Sequence, residues 1–421
     1  MKINRECILE ALSAQIKTVK LNNSLTSSLN AKAITMDLVN IVANYFLIGN
    51  NPANVKIHPN SCVELCGMIE NSKSLDWLLY LTKKRYRDHF QHQFFVGALG
   101  WIFLNTCIDD NKTTLKKYIS DNSDFGNGCS VEKTWWIASL LHDHAYPLSH
   151  LFSTMPVIGS QTHGNHQKSF EDLYKTYNLY SEELLKLFEV NRAEAKELLK
   201  GYLSCFFNKN ELSNLFQSEN NINDHGLWGA VNILVHMAKS GWPFFQRWLV
   251  CEKRSPGSCN SILNRVCSIY NDDSFNRDFL CLKHAIRAIA IHNCEDFAPI
   301  DLKKDPIGFL LVLCDEMQEW DRHTIIKSDA KVESEYIELK GIKEENATRT
   351  FTERLVIHFC FDANNLVDND WDYKKFFESK RDAFSRLKVP DDFLLKQIEF
   401  KINVPFSLDL LNNPSSSDIS R

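Results

Sequence analysis

A histidine and an aspartate stand next to each other at the end of an apolar run, Trp135-Trp136-Ile137-Ala138-Ser139-Leu140-Leu141-His142-Asp143. Moving an imidazole and a carboxylate out of water costs several kcal/mol unless both gain a partner, and a divalent metal ion is a partner for both. Neighbouring residues on a helix point about 100° apart, so both side chains reach one ion only where the helix ends. Pro147 predicts such an end. The pair therefore predicts a metal centre at the end of a helix.

Four more candidate ligands lie on apolar segments before and after this pair, namely His92, His225, His292 and Asp315. The gaps between successive candidates are 50, 82, 67 and 23 residues, and the sequence contains no Cys-x-x-Cys motif. This is not the spacing of a zinc finger, whose ligands follow one another closely. We therefore expect the candidates to meet only in a folded domain.

The order of these residues, each at the end of an apolar helix, resembles that of the HD superfamily of metal-dependent phosphohydrolases. The likeness covers roughly residues 75 to 325. It implies an all-helical core, one or two divalent metal ions, and hydrolysis of phosphoester or phosphoanhydride bonds. Mixed imidazole and carboxylate donors suit manganese, iron, cobalt, nickel or zinc better than magnesium. The implied metal ligands are His92, His142, Asp143, His225, His292 and Asp315.

The resemblance also implies catalytic roles. Metal-activated water would attack phosphorus in line, with Asp143 bridging two ions. His150 is the first candidate for protonating the leaving oxygen, because its segment looks like a shortened form of the histidine-rich stretch in the deoxynucleotide triphosphohydrolase branch. One position is deleted there, and Tyr146 stands where that branch has a histidine. Helical spacing, rather than the resemblance, makes Arg85 a further candidate: it lies seven residues before His92, on the same helix face, where its guanidinium group would hold a phosphate.

These catalytic candidates have ordinary alternatives. A loop histidine such as His150 is often bound to solvent, and a basic run such as that around Arg85 is usually solvated surface. Gln318, Glu319 and Arg322 would orient ligands or reach the substrate, and a salt-bridged helix end is an equal alternative for Glu319 and Arg322. Whether the remaining histidines take part stays open for His89, His144, His163 and His166.

The ligands themselves also have a structural interpretation. A single helical histidine such as His92 is often a hydrogen-bonded core residue. Small residues beside His225 and His292 leave room for a metal ion, but they also let helices pack closely. The functional interpretation of these positions therefore depends mainly on the family order.

Composition limits the class of protein. With 421 residues, 44% of them hydrophobic and 24% charged, the chain is typical of a globular protein of two or three domains. A formal net charge of −5 counts against a surface made mainly to bind nucleic acid. Thirteen scattered cysteines suit a reducing compartment, and the charged N-terminus lacks the apolar run of a signal peptide. We expect a cytoplasmic protein with a small phosphorylated substrate, a nucleotide first, and no membrane partner; nucleic acid and homo-oligomers stay open.

The apolar patterns predict a mainly α fold in four parts. Residues 1–70 form an N-terminal helical region, and residues 71–327 form the HD-type helical domain. In the latter, Asp305-Pro306 combines a capping acceptor with proline at the first helical position and predicts the helix that carries Asp315. The pattern predicts a small α+β appendage in β-β-α-β order for residues 328–410 and a loose tail for residues 411–421.

Three functions remain open. The leading one is a phosphohydrolase acting on a nucleotide or related small phosphoester. The second is a nuclease on the same scaffold, against which the net charge and the lack of a basic, aromatic tract count. The third is a catalytically silent nucleotide-binding or interaction module, whose appendage holds the partner. A six-ligand site of this type can also hold two irons for oxygen chemistry.

Overall fold

The computed structural model describes residues 2–16, 34–48, 65–69, 89–106, 113–122, 125, 129–146, 192–204, 206–217, 224–239, 273–297, 299–318, 332–340, 354–361, 373–390, 397–403 and 417–418. The chain forms two compact units. Unit 1 comprises residues 1–45, 79–127 and 298–421, and unit 2 comprises residues 46–78 and 128–297. The domain boundaries expected at residues 70, 327 and 410 stay a prediction.

The described residues are mainly α-helical, which confirms the predicted fold class. In chain order the helices are α1 (Arg5–Ile16), α2 (Met36–Ala43), α3 (His89–Leu104), α4 (Leu115–Asn122), α5 (Val131–Leu141), α6 (Arg192–Leu203), α7 (Lys209–Leu215), α8 (His225–Lys239), α9 (Asp273–Ile291), α10 (Pro306–Met317) and α11 (Tyr373–Ser385). A short π-helical turn, Asn44–Ile48, continues α2. Within these described stretches, every helix is too short or too polar to cross a lipid bilayer.

Unit 2 is organised around α5. Every residue of this helix is buried, including Glu132 and Lys133 of its first turn, so the helix lies in the interior of the unit. Ser130 begins the helix by accepting a hydrogen bond from the backbone N–H of Lys133 at 3.3 Å. Helix α9 packs against α5 and against α8, which in turn contacts α6. These contacts bring the end of α5 beside α8 and α9.

In unit 1, the two helices α3 and α10 are mostly buried. Helix α3 packs against α1 and α10, and α10 also contacts α11. Pro306 occupies the first turn of α10, as predicted, but the side chain of Asp305 makes no hydrogen bond to the helix start. The expected capping role of Asp305 is therefore wrong. Its backbone, at φ −126° and ψ 61°, is not in the extended conformation from which a side chain caps a helix.

The β-strands of unit 1 are β1 (Lys2–Ile3), β2 (Ile300–Asp301), β3 (Val332–Lys340), β4 (Arg354–Phe361), β5 (Leu387–Lys388), β6 (Gln397–Asn403) and β7 (Ser417–Asp418). Five of them form a sheet with the strand order β1-β3-β4-β6-β7. Strands β4 and β6 are parallel, with α11 between them in sequence, and the other neighbours in the sheet are antiparallel. Strands β2 and β5 form a separate parallel pair.

The elements of the appendage lie where the alternating sequence predicted them, in the order β3-β4-α11-β6. Two differences from the prediction come from very short strands. Residues Lys2–Ile3 add an edge strand, and Ser417–Asp418 of the expected loose tail pair with β6. A two-residue strand is too short to show alternation, so neither strand could be predicted from the sequence.

Candidate metal centre

The His142-Asp143 pair lies where α5 ends. His142 follows Leu141 at the C-cap, and the chain then turns. The backbone N–H of His144 donates to the carbonyl of Leu141 at 3.1 Å, and that of Tyr146 donates to the carbonyl of Asp143 at 2.9 Å. Nε2 of His142 lies 3.6 Å from Oδ2 of Asp143. The turn therefore brings two neighbouring side chains to the same place.

Two histidines from other helices of unit 2 meet Asp143. His225 is the first residue of α8, and His292 follows directly after α9. Nε2 of His225 lies 3.1 Å from Oδ1 of Asp143 and 3.0 Å from Nε2 of His292. Nε2 of His292 lies 3.9 Å from the same aspartate oxygen. Since two ligand atoms on one tetrahedral metal ion are about 3.4 Å apart, these atoms are at coordination spacing.

Backbone carbonyls fix the tautomer of two of these histidines. Nδ1 of His142 lies 2.8 Å from the carbonyl oxygen of Ser139, and Nδ1 of His292 lies 2.7 Å from that of Ile289. A carbonyl only accepts, so each Nδ1 carries the proton and each Nε2 keeps its lone pair. The two rings meet edge to face, with centroids 5.3 Å apart. Both imidazoles thus present the nitrogen that binds a metal ion.

Glycines allow α8 to approach the end of α9. A Cβ atom at Gly226 would clash with the carbonyl oxygen of Ile289 and lie 3.0 Å from Nδ1 of His292. At Gly229 it would lie 3.3 Å from the side chain of Ile289. The absence of a side chain at Gly226 is therefore a condition for the contact between His225 and His292.

Asp224 connects the segments that carry these two histidines. Its Oδ1 accepts the backbone N–H of Gly226 at 2.6 Å and that of Leu227 at 3.3 Å, so it caps α8. Its Oδ2 accepts the side-chain amide of Asn293, next to His292, at 3.2 Å. One buried carboxylate thus holds the start of α8 to the segment that follows α9.

Unit 1 contains the other two candidate ligands. Nε2 of His92, on α3, lies 2.6 Å from Oδ1 of Asp315 on α10. Nδ1 of the same ring contacts the side-chain oxygen of Gln318, which follows α10. The imidazole is therefore held between two oxygen acceptors. At 2.6 Å, Nε2 of His92 and the carboxylate oxygen are at hydrogen-bond distance and closer together than two ligands of one metal ion, so a proton lies between them.

The surroundings of His225 and His144 shift the pKa values of these two histidines in opposite directions. Burial lowers the pKa of His225, but the hydrogen bond and charge of Asp143, with the charge of Asp224, outweigh it and leave the pKa raised. Burial, together with the charge of His236, lowers the pKa of His144 to about 3. Neutral His144 accepts a hydrogen bond at Nε2 from the side-chain amide of Asn232.

The predicted site residues fall into three groups. Unit 2 brings together His142, Asp143, His225 and His292, and unit 1 brings together His92 and Asp315. The catalytic candidates Arg85 and His150 lie outside the described residues, as do His163, His166, Glu319 and Arg322. His89 lies at the start of α3 and is half-buried.

Most contacts of the supporting residues could not be predicted from the sequence. Asp224 is of a residue type that caps helices, but no pattern showed that its second oxygen reaches Asn293. Asn232 lies on the face of α8 that carries His225, yet its amide bonds to His144. Gln318, three residues after Asp315, was a candidate for orienting a ligand, and its contact with His92 fits that role. The sequence pattern that can reveal such supporting residues is a polar residue three or four positions from a candidate ligand, on the same helix face.

No family model, curated protein or solved structure matches this chain. The description of the site therefore depends on its own geometry.

The residues of unit 2 fit a divalent metal ion. Asp143, His225 and His292 each offer one ligand atom, and these atoms lie within 4.8 Å of one another. Carboxylate and imidazole donors together suit the first-row transition metals and zinc. The side chains of Asp143 and His292 are 7% and 1% exposed, so an ion there would be largely shielded, whereas His225 keeps 13% of its surface. The candidate metal centre is thus largely buried, and His225 is the most exposed of these three residues.

Proposed function

We propose that this chain is a metal-dependent phosphohydrolase of the HD type, acting on a nucleotide or a related small phosphoester. The observation that carries the proposal is the convergence of Asp143, His225 and His292 at coordination spacing, with carbonyl partners on the Nδ1 atoms of His142 and His292. Two buried imidazoles with fixed tautomers beside a carboxylate are typical of a metal site rather than of ordinary core packing.

The residues of unit 2 would bind the metal ion directly or hold its ligands in position. Nε2 of His142, His225 and His292 and the oxygens of Asp143 would hold the ion, and the Ser139 and Ile289 carbonyls would keep two of the rings in place. A bound divalent metal supplies hydroxide from water at neutral pH and takes up charge on phosphoryl oxygens. The accessible side of His225 is where a substrate would enter.

The sequence resemblance also implies metal-ligand roles for His92 and Asp315 of unit 1 and proton donation to the leaving oxygen by His150. Arg85 would hold a phosphate group, because its helical spacing places it on the face of His92. A cytoplasmic location belongs to the same proposal.

Elemental analysis followed by a hydrolysis panel tests the proposal. The panel contains nucleoside mono-, di- and triphosphates, bis(p-nitrophenyl) phosphate, and single- and double-stranded DNA and RNA, each with manganese, cobalt, nickel, zinc or ferrous iron. We expect bound transition metal and turnover of at least one small phosphoester. In Asp143→Ala, we expect bound metal to fall and turnover to drop by roughly a hundredfold or more.

The matched control is Asp121→Ala, which removes an exposed carboxylate from α4. It should keep the rate and metal content of the wild type. Equal rates in wild type and Asp143→Ala would place the chemistry elsewhere. Cleavage of polynucleotides without turnover of small esters would favour the nuclease, and oxygen uptake without phosphate release would favour a di-iron oxygenase.

A further inference from the structure

Two cysteines of unit 2 are in contact without forming a disulfide. Sγ of Cys129 lies 3.0 Å from Sγ of Cys281, and both are free thiols. The distance is about 1 Å longer than a sulfur–sulfur bond. Cys129 stands just before the start of α5 and is partly exposed, whereas Cys281 lies on α9 and is 2% exposed. A small oxidant would therefore reach the pair from the Cys129 side.

The surroundings of the pair favour a shared proton. Oγ1 of Thr134 lies 3.3 Å from Sγ of Cys129, and the buried ammonium group of Lys133 acts on both sulfurs. The hydrogen bond from Cys129 is the main reason that the pKa of Cys281 is lowered, and Thr134 and Lys133 lower it further against the effect of burial. Burial is the main reason that the pKa of Cys129 is raised. One sulfur thus tends toward the thiolate while its neighbour keeps the proton, which is the arrangement of a reactive dithiol.

The pair occupies one end of the contact between α5 and α9. Cys281 precedes His292 by 11 residues, which is about three helical turns, so both lie on one face of α9 together with Ala285 and Ala288. At the other end of this contact, the rings of His142 and His292 meet edge to face. The two helices that carry the cysteine pair therefore also lead into the candidate metal centre.

We propose that Cys129 and Cys281 are a dithiol that hydrogen peroxide oxidises to a disulfide, which ties the start of α5 to α9. The Cys281 thiolate attacks one peroxide oxygen and the O–O bond breaks, which gives a sulfenic acid and hydroxide. The hydroxide takes up the proton that the Cys281 thiol had lost and becomes water. The Cys129 thiol then attacks the Cys281 sulfur, the S–O bond breaks, and a second water leaves. Two thiols lose two electrons and two protons, and one peroxide becomes two waters.

The test uses the full chain, reduced and then freed of reductant. One equivalent of hydrogen peroxide is added, remaining thiols are alkylated, and the products are analysed by mass spectrometry after digestion without reductant. We expect the loss of two thiols, a mass lower by two hydrogens, and a cross-linked peptide that contains Cys129 and Cys281. Dithiothreitol should restore both thiols. The oxidised chain should also have a higher Tm than the reduced chain, because the bond closes a long loop in the unfolded state.

Variants separate the pair from general thiol oxidation. Cys129→Ser and Cys281→Ser should each abolish the cross-link, whereas Cys7→Ser, which removes an exposed thiol from α1, should leave it unchanged. If Cys7 or other thiols were oxidised ahead of the pair, or if Cys129 accumulated sulfinic acid without a cross-link, the proposal would be wrong. The wild-type peptide analysis decides the matter even where a serine variant folds poorly. It is independent of phosphoester turnover and so stands apart from the proposed function.

Discussion

His142 and His292, two candidate metal ligands, have the same local hydrogen bonding. Each is the first residue after a helix end, and each gives its Nδ1 proton to the carbonyl three residues earlier. The last four carbonyls of a helix have no partner within the helix, so a histidine at this position satisfies one of them. The same hydrogen bond aims Nε2 away from the helix. A helix end is thus a natural place for a neutral histidine ligand.

Asp224 provides a test of how closely the metal centre depends on its supporting residues. In Asp224→Ala, the start of α8 loses its cap and Asn293 loses its acceptor. We expect a loss of about 1–2 kcal/mol in the free energy of unfolding and a metal affinity lower by about 10–100-fold. Chemical denaturation measures the first quantity and metal titration against a competing chelator measures the second.

The matched control removes a cap that lies outside the candidate centre. Asn208 caps α7 in a reciprocal capping box with Glu211. Asn208→Ala should cost a similar amount of stability and leave metal affinity unchanged. If both variants lost metal affinity equally, the effect of Asp224 would reflect general destabilisation rather than positioning.

At the scale of helices and strands, the sequence was informative wherever the signal spans one or two turns. The apolar run before His142, the proline at position 306 and the alternation within residues 328–410 each predicted an element that the structure contains. Contacts between distant elements carry no such signal. The pairing of His92 with Gln318 and of Cys129 with Cys281 depends on how whole helices pack, and side-chain rotamers follow from that packing. The predicted capping hydrogen bond of Asp305 is wrong because its backbone conformation, which depends on the packing of neighbouring segments, does not suit a cap.

The ion pair between α7 and α9 makes a pH-dependent prediction. Arg287 donates to both carboxylate oxygens of Glu211, at 3.0 and 3.2 Å. Burial opposes ionisation of Glu211, but the hydrogen bonds and charge of Arg287 outweigh it and lower its pKa. A carboxyl group whose pKa is lower in the folded state stabilises the fold above its unfolded pKa of about 4.3 and loses that contribution as the pH falls.

We therefore expect Glu211→Gln to destabilise the chain at neutral pH and to match the wild type progressively as the pH falls below about 4.3. Denaturation curves at several pH values measure the difference. Glu197→Gln is the matched control, since Glu197 pairs with Lys200 but is 70% exposed, and such pairs contribute little. A difference for Glu211→Gln that persisted unchanged in acid would contradict the linkage.

At the scale of the whole molecule, the candidate metal centre of unit 2 exists only in the folded chain. Its four side chains span residues 142 to 292, a separation that an unfolded chain does not hold in place. A ligand that binds only the folded state stabilises it by an amount set by its concentration and affinity. Removing metal from the protein should therefore lower its stability as well as any activity.

We expect saturating manganese, cobalt or zinc to raise the Tm of the metal-free chain. At a free metal concentration one hundred times the Kd, the gain is about 2.7 kcal/mol, which corresponds to roughly 3 °C for a chain of this length. Asp143→Ala should lose most of this shift, because its carboxylate lies beside both His225 and His292, whereas Asp121→Ala should keep it. Calorimetric scans with and without each metal measure the shift. An equal rise in Asp143→Ala would mean that the stabilising metal binds elsewhere, and the convergence of His225 and His292 would then be only a packing contact.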